Sequence, residues 1–474
     1  MSFQSLHFVL FLILVFALNR LLLARAEARK NVLLAASYYF YMCWDWRFLG
    51  LVLLMTVVNF VAGRGIAASA SGIGKRIWLI LACVLCLGVL AYFKYESYLI
   101  ASTAQLLEAA GFETNLSMLR VLLPIGISFY TFQSLSYTLD IYRGHGKPTT
   151  SFRDFALFVA FFPTVLSGPI TRARQFLPQL ERPLRDSLER AEEGLVLTIR
   201  GFVKKIAFAD VLAVQLVNPA FASPENYSSV FLLVAVYAYS FQIYMDLSGY
   251  TDIARGAAKL LGFELPENFN RPYQATSVSN FWQRWHISMS SFFRDYVYFG
   301  MGGSRRGNVY FNLYITFIAI GLWHGSGLNV VVYGLIHGTA VCIERWRRNW
   351  RVARGLPPTP EGRMAWLSSV FVTFQIVAFS RIFFRSGDLS SAVDYFAAIL
   401  QPGADQAPFT TLGLVVLAVA FVLHYVPRSI FTAAAARYRR MNVVAQGGIL
   451  VGVAFGLLAL SPSPGSVQFV YFQY

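Results

Sequence analysis

An all-α protein that crosses a membrane many times is the fold class this sequence predicts, on three observations. Of its 474 residues, 56% are hydrophobic and only 14% charged, whereas soluble domains carry about 25% charged residues. Apolar runs of roughly twenty residues, the length that crosses hydrocarbon as a helix, recur along the whole chain. Short basic connections alternate with connections free of Lys and Arg, the distribution of topology signals. With a mean hydropathy of +0.53, these features predict one integral-membrane domain over 1–474.

The elements follow in order. "MSFQSLHFVLFLILVFALNR" has no basic stretch before its apolar run, and its first positive charge, Arg20, comes after it. That order predicts a retained first helix over 3–23 with the N-terminus outside, not a cleaved leader. Arg20, Arg25, Arg29 and Lys30 then mark a cytoplasmic turn before the spans 31–44 and 48–63, and Arg64, Lys75 and Arg76 mark the next. Spans 77–98 and 118–139 flank 101–117, which has no Lys or Arg.

A long connection, 140–194, carries arginines from Arg143 to Arg190 and is expected on the cytoplasmic side. Within it, "FALFVAFFPTVLSGPI" (155–170) is apolar but interrupted by Pro163 and Pro169, so a re-entrant or interfacial element is expected there. Spans 195–217 and 229–247 enclose 218–228, again without Lys or Arg. A second long connection, 248–308, is rich in aromatics, Gly and Pro and is also expected to fold back on the cytoplasmic side.

Spans 309–323 and 328–344 lead to the arginines between Arg345 and Arg363, and 365–383, 411–426 and 445–460 complete the set. The basic connection Arg428–Arg440 separates the last two. The pattern places both termini outside, with about eleven or twelve spans.

A formal charge of +16 does not indicate nucleic acid. The cations sit in short loops between apolar runs, not in a basic groove interleaved with stacking aromatics. Cys43, Cys83, Cys86 and Cys342 all lie in or beside apolar segments. The Cys83/Cys86 pair lacks the second pair of ligands that a structural zinc site needs, so they read as core thiols.

Chemistry is expected at two of the six histidines. His324 closes the apolar run in "IAIGLWHGSG", between Trp323 and Gly325. His286 lies in "NFWQRWHISMSSFFRDYVYFG" (280–300), whose pattern predicts an amphipathic helix along or within the membrane, capped by Ser277 or Ser279. On one helix, Trp282, His286 and Ser290 share a face at a spacing of four, with Arg284 and Asp295 elsewhere. The polar run "YMDLSGYTDIARG" (244–256) adds Asp246, Ser248 and Asp252; a carboxylate within a span normally faces a cavity or a partner.

A desolvated imidazole titrates below its usual value of about 6.5, stays neutral and keeps a lone pair. That suits a general base for a hydroxyl, or a nucleophile toward a thioester. Glycines 325 and 327 are expected to let an acyl group approach the ring. His337, in "YGLIHGTA", is a weaker candidate. No GxSxG elbow, HExxH or P-loop is present, and two histidines fall short of a metal site, so no bound cofactor is expected.

These motifs resemble the membrane-bound O-acyltransferase family. "NFWQRWHISMSSFFRDYVY", followed 38 residues after its histidine by the one in "GLWHGSG", is its paired-histidine pattern. "LPIGISFYTFQSLSYTLDIYRG", "QIYMDLSGYTDIARGAAKLLGFELPENFNRPY" and the ending "SPSPGSVQFVYFQY" are similar to the family's bacterial alginate O-acetylation branch.

The resemblance implies a ring of helices around a thin, funnelled centre, with His324 essential and His286 its companion. It implies acetyl-CoA as cytoplasmic donor and a periplasmic SGNH-type polysaccharide acetyltransferase as partner. The setting it implies is an exopolysaccharide synthesis complex in the bacterial inner membrane, among membrane lipid. Trp323, Gly325, Trp282, Trp285, Ser290, Asp246, Ser248, Asp252 and Arg284 are candidates for the substrate channel. A transporter of the donor or polymer is the competing expectation, although transporters favour internal repeats and none is visible here.

Overall fold

A computed structural model describes the chain except residues 2, 4, 113–121, 183–186, 360, 402–408 and 462–474. The ending "SPSPGSVQFVYFQY" beyond Ser461, the start of the expected span 118–139 and part of the 101–117 connection lie outside the described residues. Among the described residues the secondary structure is entirely helical.

The N-terminal group comprises α1 (Leu6–Leu21), α2 (Ala26–Met42), α3 (Leu49–Ala68), α4 (Gly72–Ala109) and α5 (Ile127–Tyr142). Helix α3 buries Val52, Met55, Thr56, Asn59, Gly63 and Ile66, one face at three- and four-residue spacing. On that face, Asn59 donates from Nδ2 to Ser134 Oγ (3.2 Å) and accepts from Thr138 Oγ1 (2.7 Å), clasping α3 to α5. Without water, packing and such interhelical hydrogen bonds hold helices together.

The expected break in 155–170 falls between α6 (Phe152–Ala160) and α7 (Phe162–Val165). Pro163 sits in the first turn of α7, where a missing N–H costs nothing. Helix α8 (Ala173–Glu181) precedes α9 (Leu188–Phe202), which continues as π-helical turns over Val203–Asp210 and Ala213–Val217, then α10 (Asn218–Ala222).

Helix α11 (Ser229–Leu260) is the axis of the molecule; 78% of its most apolar stretch is buried within the protein. It crosses α9 closely. A Cβ on Gly201 would come 2.5 Å from the Gly249 carbonyl, and one on Gly256 2.6 Å from the Gly194 carbonyl. Larger residues would force these helices apart. The sequence places Asp246 at the end of a span, but α11 runs on for fourteen residues past it. A helix can carry this carboxylate inside the protein because Lys205 meets it at 2.7 Å.

The second half comprises α12 (Val278–Trp282), α13 (Ile287–Phe292), a π-turn (Phe293–Tyr298), α14 (Val309–His324), α15 (Leu328–Ala353), α16 (Arg363–Arg385) and α17 (Leu389–Leu400). Helices α18 (Thr411–Tyr425), α19 (Arg428–Arg439) and α20 (Val443–Leu460) follow. Helices α14 and α15 approach backbone to backbone: a Cβ on Gly321 would meet the Val330 carbonyl at 2.2 Å, and one on Gly334 the Phe317 carbonyl at 2.5 Å.

Among the described residues, five helices are long and apolar enough to cross a membrane, or six if α18 and α19, bent by 97°, form one span. The shorter apolar helices α1 and α14 occupy others of the expected positions, whereas α17 forms at Leu389–Leu400, where no span is expected. Helices packed against protein need not match the full hydrocarbon thickness.

Ion pairs gather the basic connections on one face of the bundle. Arg153 pairs with Glu27 (2.5 Å) and Lys30 with Asp154 (2.9 Å). Arg190 pairs with Glu264 (2.6 Å), while Arg439 meets Glu193 at 3.6 Å. This is the basic side of the molecule.

Candidate functional site

Helix α14 starts beside the basic loop containing Arg305 and Arg306 and ends at His324. Its sixteen residues carry the chain roughly 24 Å away from that face. The helix stops where Gly325 turns extended (φ −161°), leaving carbonyls without helical donors. Helix α4 supplies them: Tyr95 Oη donates to the Leu322 carbonyl (2.6 Å) and Lys94 Nζ to that of Trp323. The Lys94 ammonium also stands 5.9 Å from the Trp323 ring centroid. A lone lysine in "GVLAYFKYESYLI" is the sequence signal that would have found this cap, because a cation in a span marks a partner.

His324 is 5% exposed and packs its ring 4.7 Å from Trp323 and 4.9 Å from Phe384. His286 reaches the same place from the basic side. The single amphipathic helix expected over 280–300 is instead broken at this residue, which adopts the left-handed region (φ 44°, ψ 53°). The physical reason is the neighbouring 268–270 segment. Ile287 N donates to the Asn268 carbonyl, Ser288 N to Asn268 Oδ1 and Asn270 N to the Arg284 carbonyl, at 2.8–2.9 Å.

These bonds replace intrahelical ones and hold a conformation that costs a non-glycine residue about 1–3 kcal/mol. Ser277 does cap α12, accepting from Asn280 N (3.0 Å). The break points the His286 ring at Trp323, 5.7 Å away and edge to face at 86°. The two imidazoles thus flank one indole.

A third histidine holds the group in place. His337 is fully buried; Trp282 Nε1 donates to its Nδ1 (3.2 Å) and its Nε2 lies 3.0 Å from Ser380 Oγ. An indole N–H can only donate, so Nδ1 accepts and, in the neutral ring, the proton sits on Nε2 facing Ser380. Ser380 passes its own hydrogen to the Val377 carbonyl (2.8 Å). Buried Arg381, one residue on, stands 4.4 Å from the Trp285 ring centroid and donates to the Ser240 carbonyl (3.0 Å). Ser380 carries no sequence signal beyond a polar residue in an apolar run, whereas Arg381, a cation within the expected span 365–383, carries the same signal as Lys94.

The other expected channel residues divide. Trp323, Trp282, Trp285 and Ser290 surround or support the histidines; Ser290 Oγ donates to the Trp285 carbonyl (2.9 Å). Arg284 turns to Asn280 (3.0 Å). Asp246, Ser248 and Asp252 lie elsewhere: Asp246 pairs with Lys205, while Ser248 and Asp252 line a separate cavity. Gly325 serves packing, since a Cβ there would stand 3.1 Å from Val330 Cγ1. Asp246 and Asp252 project from α11 toward the segment that continues α9, and Gly325 follows the end of α14.

Two cavities lie near the corner, and the first of them is lined by its residues. One, of about 70 Å³, is lined by Lys94, the 123–129 turn, Leu166, Trp323 and His324 itself. Gly126 turns it at φ +79°, where a Cβ would stand 2.4 Å from the Val165 carbonyl. The other, of about 290 Å³, enters from the basic side past Arg294 and reaches Trp282, Ile287, Ser290 and Ile320.

Lys94→Met is expected to lower acyl transfer about 10- to 100-fold, the worth of a charged hydrogen bond. If Lys94 only positions His324, the loss falls on kcat with KM unchanged, and Lys94→Arg restores part of it. An equal rise in KM would instead place Lys94 in substrate binding.

The sequence signature of the membrane-bound O-acyltransferase family matches residues 65–385, a stretch containing both His286 and His324. A probable alginate O-acetylase of Azotobacter vinelandii is 37% identical over 432 residues, covering 89% of this chain and 84% of that protein. A peptidoglycan O-acetyltransferase of Helicobacter pylori is 32% identical over 392 residues, covering 77% and 72%. A teichoic acid D-alanyltransferase of Streptococcus thermophilus is 30% identical over 281 residues, covering 55% and 68%. The relatives differ in acceptor and acyl group but share acyl transfer in their names, and the match spans the helices that build the histidine corner. This chain therefore belongs to the membrane-bound O-acyltransferase family and is a multi-pass membrane enzyme.

Proposed function

We propose that the protein moves acetyl groups from acetyl-CoA on the cytoplasmic side of a bacterial inner membrane to the opposite side. There they serve O-acetylation of an exopolysaccharide through a periplasmic acetyltransferase partner of the SGNH type. Both termini then face the periplasm. The observation that supports this reading is the buried His324–Trp323–His286 corner, whose His324 and Trp323 line one cavity beside Lys94, with a second cavity running from Arg294 to Trp282, Ile287 and Ile320 nearby. The similarity to alginate O-acetylases favours a polysaccharide as the final acceptor.

In this reading the thioester enters past Arg294 toward Trp282 and Ile320, and the acceptor hydroxyl enters past Lys94. His324 takes the hydroxyl proton as its oxygen attacks the acetyl carbonyl. The C–S bond then breaks, and the departing thiolate receives a proton to leave as free coenzyme A. His286 orients the thioester or supplies that proton.

Proteoliposomes given radiolabelled acetyl-CoA on the basic side test the proposal. Free coenzyme A should appear on that side and label on the acceptor across the bilayer, with transfer reduced in His286→Ala. Intact labelled acetyl-CoA on the far side would make the protein a transporter. Near wild-type transfer by His286→Ala would remove that ring from the mechanism.

A further inference from the structure

A cavity of about 570 Å³ is lined by neither histidine of the corner. It lies between α9, α11, the 267–271 loop and the bend from α18 into α19. Five cations line it (Arg200, Lys204, Arg255, Arg271 and Arg428) against two carboxylates, Asp252 and Glu267. Asp252 is already shared by two of them, Arg200 (2.7 Å) and Lys204 (2.7 Å). Glu267 reaches Arg428 only at 3.6 Å. Arg255 donates to the Leu265 carbonyl, and Arg271 makes no ion pair among the described residues.

Arg271 is also held in the left-handed region (φ 47°, ψ 62°), an unfavourable conformation for a side chain this long. Burial first, and the nearby Arg428 second, push its guanidinium below its ordinary value. A concave surface with three uncompensated positive charges and low-dielectric walls focuses its field on an anion.

The remaining walls say which anion. Met245 lies ten residues before Arg255 on α11, so the cavity extends roughly 15 Å from its charged mouth toward the bilayer interior. Its end away from Arg255 is apolar, with Phe208, buried Met245 and the more exposed Leu423. Helix α19, at 97° to α18, buries none of its residues, carries Arg428, Arg437 and Arg439, and so has the character of an interfacial helix. A small soluble anion has no use for the apolar end; a phospholipid fills both.

We propose that this cavity binds an anionic phospholipid, its headgroup phosphate on Arg271 and Arg428 and its acyl chains along Phe208 and Leu423. Basic pockets between helices on the cytoplasmic side have this preference on general electrostatic grounds.

The test is native mass spectrometry of the full-length protein released from nanodiscs of phosphatidylethanolamine with a minor share of cardiolipin. The wild type should retain cardiolipin at least about tenfold over its share in the bilayer, equivalent to about 1.4 kcal/mol. Arg271→Gln combined with Arg428→Gln should abolish the enrichment. Arg428→Gln alone, at an exposed position, should lower it several-fold and keeps the test open if the double variant does not fold. Equal retention by wild type and Arg428→Gln, or no enrichment in the wild type, would overturn the proposal. Adenosine 3′,5′-bisphosphate separates the sources of phosphate: if it displaces the bound lipid at micromolar concentration, the cavity belongs to a soluble nucleotide instead. This proposal does not depend on His324, so acyl transfer and lipid retention fail independently.

Discussion

His324→Gln should reduce acetyl transfer by about 10²–10⁴-fold, the usual contribution of a positioned general base, while the protein accumulates in the membrane at its normal level. Glutamine is the informative replacement. The ring packs between Trp323 and Phe384 and borders a cavity of about 70 Å³, so truncation to alanine would enlarge a void as well as remove a base. Glutamine keeps most of the volume and a hydrogen-bonding group but has no lone-pair nitrogen that takes up a proton near neutrality.

If His324→Gln and His324→Ala both lose transfer and the glutamine variant melts with the wild type, the loss is chemical. If the glutamine variant transfers acetyl within a few-fold of wild type, the ring is a packing element and the proposed chemistry moves elsewhere. The same assay on His337→Gln gives an internal contrast. That ring touches Trp282 and Ser380 but borders neither cavity, so its loss acts only through the position of the indole.

The helices were legible because their signals are local. Apolar runs and basic turns placed most of them, and Pro163 marked the break between α6 and α7. The pair His286 and His324 was legible from its tryptophan and glycine neighbours. What escaped depends on contacts far apart in sequence. The break at His286 is imposed by Asn268, whose backbone and side chain take two hydrogen bonds that a helix would have made internally. The amphipathic period of 280–300 favours one helix, and only the tertiary partner overrides it.

Likewise Lys94 reaches the Trp323 carbonyl across 229 residues. The partners of the polar run 244–256 are likewise distant in sequence. Its residues are close in sequence to the motif, but along α11 they turn toward α9, where Lys204, Lys205 and Arg200 await them. Proximity in sequence located the polar cluster; helix geometry chose its partners.

The largest stability effect is expected away from the histidines, at Lys205. Its ammonium lies 2.7 Å from both Asp210 Oδ1 and Asp246 Oδ1, and all three side chains are at most 5% exposed. The spacing from Lys205 to Asp210 is five residues, which an α-helix sends to different faces. The π-helical turn over Val203–Asp210 widens the repeat enough to bring the two side chains together.

Lys205→Met removes one positive charge and leaves two carboxylates buried beside each other. Breaking a buried pair from one side costs about 3–5 kcal/mol, against a total of about 5–15 kcal/mol for a typical protein. The variant should therefore melt well below the wild type in detergent and accumulate poorly in the membrane. Lys205→Met combined with Asp210→Asn and Asp246→Asn should recover much of the loss, because no unpaired charge remains. Per folded molecule, acyl transfer should be unchanged in the triple variant, since Lys205, Asp210 and Asp246 line neither the cavity at His324 nor the one past Arg294. Lys205→Met melting with the wild type would mean that water reaches the trio and that the interior around α11 is not dry.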